Sequence, residues 1–83
     1  DSVGWALYLN KNYIEAEKFL RRAIEIMPFD PIINDHYGDV LWALNKEIQA
    51  RYFWGHVFNL DEVEEKLKES VNKKIIIGKN KKL

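Results

Sequence analysis

Few side chains in this 83-residue chain are placed where they could do chemistry. The densest set is Asp35-His36-x2-Asp39, two carboxylates and an imidazole that would share a helix face at spacings of three and four. Such a set suits a divalent cation, but the same residues are equally at home as a solvated acidic face, and a metal is not expected. His56 stands alone and reads as a helix-surface side chain. Ser2 and Ser70 are the only alcohols besides tyrosine, and neither sits on a nucleophile elbow or beside a recognisable base. There is no cysteine, which excludes disulfides, the usual zinc finger and a thiol nucleophile. No glycine-rich phosphate loop is present. Catalysis, cofactors and metals are therefore not expected, and what remains is recognition by aromatic and acidic side chains.

Charge narrows the partner class. Lys and Arg total 13 against 13 Asp and Glu, so the chain lacks the cationic excess that phosphate neutralisation needs, and nucleic acid is not expected. No apolar stretch approaches the roughly 18 residues of a membrane span. The start, DSVGWALYLN, has neither the basic end nor the long apolar run of a signal peptide. Residues 1–62 carry six basic and ten acidic side chains, whereas residues 63–83 carry seven basic and three acidic. An acidic body thus precedes a basic tail.

The elements that must carry these residues are helices. Threonine is absent, and four Gly with two Pro leave few residues for the turns of a strand-rich fold. From Tyr13 to Met27, Ala16, Phe19, Leu20, Ala23, Ile24 and Met27 recur at helical spacing. Pro28 and Pro31 end that helix and open the next, with Asp30 placed to cap it. Ile33, Tyr37, Val40, Leu41 and Leu44 form the second stripe, to about Asn45. Ile48, Phe53, Trp54, Val57 and Phe58 form a third, over 47–59. Asn10-Lys11-Asn12 and Asn45-Lys46 are short turns suited to antiparallel neighbours. Beyond them Asp61 is placed to cap a last helix, whose narrow stripe is Val63, Leu67, Val71 and Ile75.

Sliding the sequence by 34 residues superimposes Gly4 on Gly38, Leu7 on Leu41, Ala16 on Ala50 and Phe19 on Phe53. That period marks stacked helical hairpins. Within it stand Val3-Gly4-x2-Leu7 with Ala16-x3-Leu20-x2-Ala23-x4-Pro28, and Tyr37-Gly38-x2-Leu41 with Ala50-x3-Trp54. On these residues the chain resembles the tetratricopeptide repeat family over about residues 1–62. It departs at Asn34, where the family has Trp, at Val57, where a small residue is usual, and at Glu62, in place of the closing Pro. The resemblance implies an all-α fold, a right-handed αα superhelix of two hairpins (1–30, N-terminally truncated, and 31–62) and a C-terminal capping helix with a basic tail (63–83). Because the sequence starts inside a helix, the reading further expects the C-terminal piece of a longer protein.

The resemblance also implies a function. Family members are interaction scaffolds in which the first helix of each hairpin lines a concave groove. Carried over position by position, the lining is Asp1, Ser2, Trp5, Tyr8 and Leu9 in the first copy, and Asp35, His36, Asp39, Trp42 and Ala43 in the second. Members that clamp carboxylate termini place Lys, Arg and Asn there, so this acidic lining is expected to repel such peptides. It should accept a basic or apolar segment of a protein or peptide, anchored by Trp5, Tyr8 and Trp42 and held by Asp35 and Asp39, with His36 between them. The alternative is a structural cap or oligomerisation piece of a longer array, with no peptide binding of its own. The tail from Lys73 to Lys82 reads as a frayed end, as a weak attraction to anionic surfaces, or as a segment that self-associates through the acidic groove of another copy.

Overall fold

The computed structural model describes residues 2–60 and 62–80, which form five α-helices with no strand among them: α1 (Ser2–Leu9), α2 (Tyr13–Ile26), α3 (Pro31–Ala43), α4 (Glu47–His56) and α5 (Glu65–Asn80). α1 packs on α2, α2 on α3, α3 on α4 and α4 on α5, each against its neighbour in sequence. The thinnest dimension of the molecule is 18 Å, which accommodates two layers of helices at their usual spacing.

The helix ends follow local chemistry. Asp30 caps α3, its Oδ1 accepting from the amides of Ile32 at 2.9 Å and Ile33 at 3.0 Å, with Pro31 in the first turn where no amide is missed. α1 and α3 stop alike. Lys11 and Asn45 both adopt φ of 65°, and the amides one residue later reach back five residues, Asn12 to the Leu7 carbonyl at 2.8 Å and Lys46 to the Leu41 carbonyl at 2.9 Å. Both turns are Schellman closures with a left-handed residue, the place where Asn costs less than a larger side chain. α4 ends sooner than the apolar stripe predicts. A single 3-10 turn, Val57–Asn59, tightens the chain before Leu60 turns extended. The expected cap Asp61 lies outside the described residues, and α5 starts at Glu65.

The 34-residue offset recurs in the coordinates. α2 and α4 start that far apart, and so do α3 and α5. Gly4 and Gly38 are both buried, as are Ala16 with Ala50 and Leu20 with Trp54. On the same offset Leu67, Val71 and Ile75 of α5 fall on Ile33, Tyr37 and Leu41 of α3, and Val71 is fully buried. α5 thus follows α3 at the same 34-residue offset by which α4 follows α2.

The core runs through α2, α3, α4 and α5 around Ala16, Leu20, Tyr37, Val40, Leu41, Ala50, Trp54, Val57 and Val71. Gly38 is what lets α3 and α4 meet. A Cβ there would lie 2.4 Å from Trp54 Nε1 and 2.5 Å from its Cδ1, so only glycine leaves room for the indole. Asn34 has no exposed surface, and every polar atom of its side chain finds a partner. Its amide donates to the carbonyls of Pro28 at 3.1 Å and Asp30 at 2.8 Å, which turns Oδ1 toward His56 Nδ1, 3.0 Å away. With Oδ1 accepting, Nδ1 carries the proton. His56, read as a surface residue, thus ties the end of α4 to the first turn of α3.

Candidate interaction site

The residues singled out on α1 and α3 gather along one wall built from those two helices, and α5 closes its end. On α1, Trp5 and Tyr8 are three residues apart and share a face, so their rings stack at 4.7 Å with planes 16° apart. Trp5 stacks again on His36 of α3, at 3.7 Å and 13°. Tyr13 of α2 leans on Tyr8 from behind at 5.6 Å. The result is a ladder of His36, Trp5 and Tyr8 that ties the two leading helices by aromatic contact. Burial against Trp5 pulls the His36 imidazole below its usual pKa and outweighs the opposing pull of Asp35, so the ring is neutral at pH 7. Burial likewise raises the Tyr8 phenol, with help from Asp39.

The two aspartates face a cation from their own chain. Lys74 on α5 reaches Asp35 Oδ1 at 2.8 Å and the two oxygens of Asp39 at 2.9 and 3.1 Å. Both carboxylates are 11% exposed and the lysine 30%. Burial pulls the Lys74 ammonium down, but the two carboxylates overrule it and hold its pKa above the ordinary lysine value. Asp39 goes the other way. Its burial outweighs the pull of Lys74 and, with a smaller push from the neighbouring Asp35, raises its pKa to about 6. One ammonium thus stands between two carboxylate side chains.

Beside this cluster lies a recess of about 170 Å³, lined by Tyr8, Asp39, Trp42, Trp54, Lys74 and Ile77. Trp42 and Trp54 meet at 5.7 Å and 35°. Trp54 is oriented by its own hydrogen bond, Nε1 donating to the Asp35 carbonyl at 3.2 Å. The edge of Trp42 lies over Gly78, where a Cβ would come within 3.1 Å of the ring. Lys74 Nζ stands 6.0 Å from the Trp54 ring centroid, at the outer reach of a cation–π contact.

Of the six residues predicted to contact a partner, Trp5, Tyr8 and His36 enter the ladder. Tyr8, Asp39 and Trp42 line the recess, and Asp35 lies beside it under Lys74. Of the other expected lining residues, Ser2 and Leu9 are exposed, Ala43 is half-buried, and Asp1 lies outside the described residues. No three acidic or histidine side chains converge as a metal site among the described residues. Trp54, Lys74 and Ile77 were not in the predicted lining. Lys74 did carry a signal: moved back by 34 residues it falls on Val40, a position with no exposed surface, and a lysine in such a register needs an anionic partner. The tail is also more ordered than a frayed end, since α5 continues through Lys73 and Lys74 to Asn80, while Lys81 and Lys82 lie outside the described residues.

No helix among the described residues is long and apolar enough to cross a membrane. No family model matches the chain, and neither a curated protein nor a solved structure matches it.

Proposed function

We propose that this chain is a protein-interaction module of the helical-hairpin repeat kind, similar to tetratricopeptide repeats, whose leading-helix wall takes up a basic or apolar segment of another protein. The observation that carries this reading is the α1–α3 wall itself. It brings Trp5, Tyr8, Asp39 and Trp42, drawn from two units 34 residues apart, to one side of the molecule beside an open recess. The paired Schellman turns and the matched burial at that offset support the repeat architecture. Aromatic faces supply desolvated contact area, and the uncompensated carboxylate supplies the preference for positive charge.

The test is calorimetric titration of the intact chain with three twelve-residue peptides of matched length, one rich in Lys and Arg, one rich in Asp and Glu, and one neutral and apolar. Binding of the basic or apolar peptide with the acidic one inert is the expected result. Preference for the acidic peptide would overturn the reading.

One observation favours a second reading. Lys74 already neutralises part of the wall within the same chain, which is what a structural end-piece would do with acids it had to bury. In that reading the chain binds none of the three peptides and remains an inert monomer. The self-association reading of the tail is tested by light scattering with and without residues 73–83: loss of a dimer on truncation supports it, and a monomer in both forms refutes it.

A further inference from the structure

The recess between α1, α3, α4 and α5 has features that packing alone does not require. Its walls are three aromatic rings, Tyr8, Trp42 and Trp54, with Asp39 as the anionic wall, Lys74 paired to it, and Ile77 at the rim. At about 170 Å³ it exceeds the roughly 150 Å³ that accommodates benzene in an engineered protein cavity, so a planar group of six or so heavy atoms fits. The single ammonium of Lys74 is divided between Asp39 on the recess wall and Asp35 beside it. A carboxylate offers about four lone-pair directions, and Lys74 engages Asp39 through only one donor group, so acceptor capacity remains. The chain supplies its own precedent for a cation here, since Lys74 Nζ already stands over Trp54.

We propose that this recess is a receptor for a single arginine side chain of the partner segment, its guanidinium against the Trp42 and Trp54 rings and paired with Asp39. Arginine suits the site better than lysine for two reasons. Its flat, weakly hydrated head stacks on aromatic faces, and its several N–H donors can share a carboxylate that one ammonium already holds. The position held by Lys74 is that of a compact point charge, and it leaves the aromatic volume beside it open. Ile77, on the rim and 65% exposed, covers the aliphatic stem of the entering side chain. This inference rests on the groove reading above and narrows it to one residue and one recess.

The probes are three capped tripeptides, Ala-Arg-Ala, Ala-Lys-Ala and Ala-citrulline-Ala, the last a neutral isostere of the first. The readout is the indole Nε1–H resonances of ¹⁵N-labelled chain during titration. Saturable shifts of the Trp42 and Trp54 signals with the arginine peptide, weaker with lysine and absent with citrulline, are expected. Asp39→Asn, which keeps the shape of the side chain, should weaken the arginine peptide about tenfold, as loss of one charged hydrogen-bond partner does. Because Ile77 is exposed, Ile77→Lys and Ile77→Glu leave the fold intact, and they should shift affinity in opposite directions, weaker and tighter. Equal shifts for arginine and citrulline, or indifference to both Ile77 variants, would overturn the proposal. The outcomes also separate the two readings. A basic twelve-residue peptide that moves the Trp5 signal but not those of Trp42 and Trp54 leaves the scaffold function standing and removes the arginine recess. Absence of any basic or apolar peptide binding removes both.

Discussion

Substituting two glycines one at a time gives a matched test of the packing. Gly38→Ala places a methyl 2.4 Å from Trp54 Nε1 and 2.5 Å from Cδ1, well inside contact distance. The clash is with a ring that is 3% exposed and held by its bond to the Asp35 carbonyl, so the indole has nowhere to go without losing that bond. Overpacking of this kind costs about 1–3 kcal/mol and a lost hydrogen bond about 1 more, while the helix preference of Ala over Gly returns about 1. The net is a loss of about 1–3 kcal/mol, which in a domain of this size lowers Tm by roughly 5–20 °C. Gly55→Ala is the control. Nothing lies within 4 Å of its added Cβ, and it sits inside α4, so it should gain about 0.5 kcal/mol from helix preference alone. Thermal and urea unfolding followed by helical circular dichroism measures both. A Gly38→Ala chain as stable as the parent, or a Gly55→Ala chain less stable than it, would refute the account of how α3 meets α4.

Further predictions follow from the buried polar groups. Asp39 binds its proton more tightly folded than unfolded, its pKa rising from 3.8 to about 6, so its ionisation costs the folded state about 2–3 kcal/mol that is present above pH 6 and gone below about pH 4. The stability advantage of Asp39→Asn over the parent should therefore shrink by about 2 kcal/mol between pH 7 and pH 4, and an advantage that stays constant across that window would contradict the burial argument. His36 acts with the opposite sign. Its lowered pKa makes the parent lose stability as pH falls below 6.5, a loss that His36→Phe, which preserves the stack on Trp5, should remove in urea unfolding at pH 5 and 7. Asp30→Ala removes the acceptor of two α3 amides and should cost about 1 kcal/mol, read as a lower urea midpoint with an unchanged slope. Asn34→Leu deletes three hydrogen bonds at a fully buried position and should cost about 2–4 kcal/mol, and neutrality there would mean the Asn34–His56 link carries no stability.

The sequence reading reached the helices and the wall because both depend on local pattern. Apolar spacing, Pro28, Pro31 and Asp30 determine where α2 ends and α3 begins, and the stripe over 47–59 overran α4 by only the 3-10 turn, since Val57 must be buried whichever helix form carries it. Gly38 and Ala50 marked a close helix approach, and Gly38 proved to be the floor beneath Trp54. What sequence spacing did not convey was the partner of the two aspartates. Lys74 lies 39 residues from Asp35 and 35 from Asp39, and only the packing of α5 back against the bundle brings them together. Reading the acids as a free groove lining was therefore incomplete. The two aspartates of the wall share one lysine, and Trp54 is an unforeseen part of that wall. Asn34 was legible only as a departure, because a buried amide with three partners drawn from two segments has no local signature.

The most direct measurement of the interaction claim is a ¹⁵N correlation spectrum of the intact chain recorded as a Lys- and Arg-rich twelve-residue peptide is added. The account predicts saturable shifts at the indoles of Trp5 and Trp42 and at the amides of Asp35 to Asp39, with exposed Ile48 and Tyr52 on α4 left in place. Shifts confined to Ile48 and Tyr52, or an equal response to the Asp- and Glu-rich peptide, would contradict it.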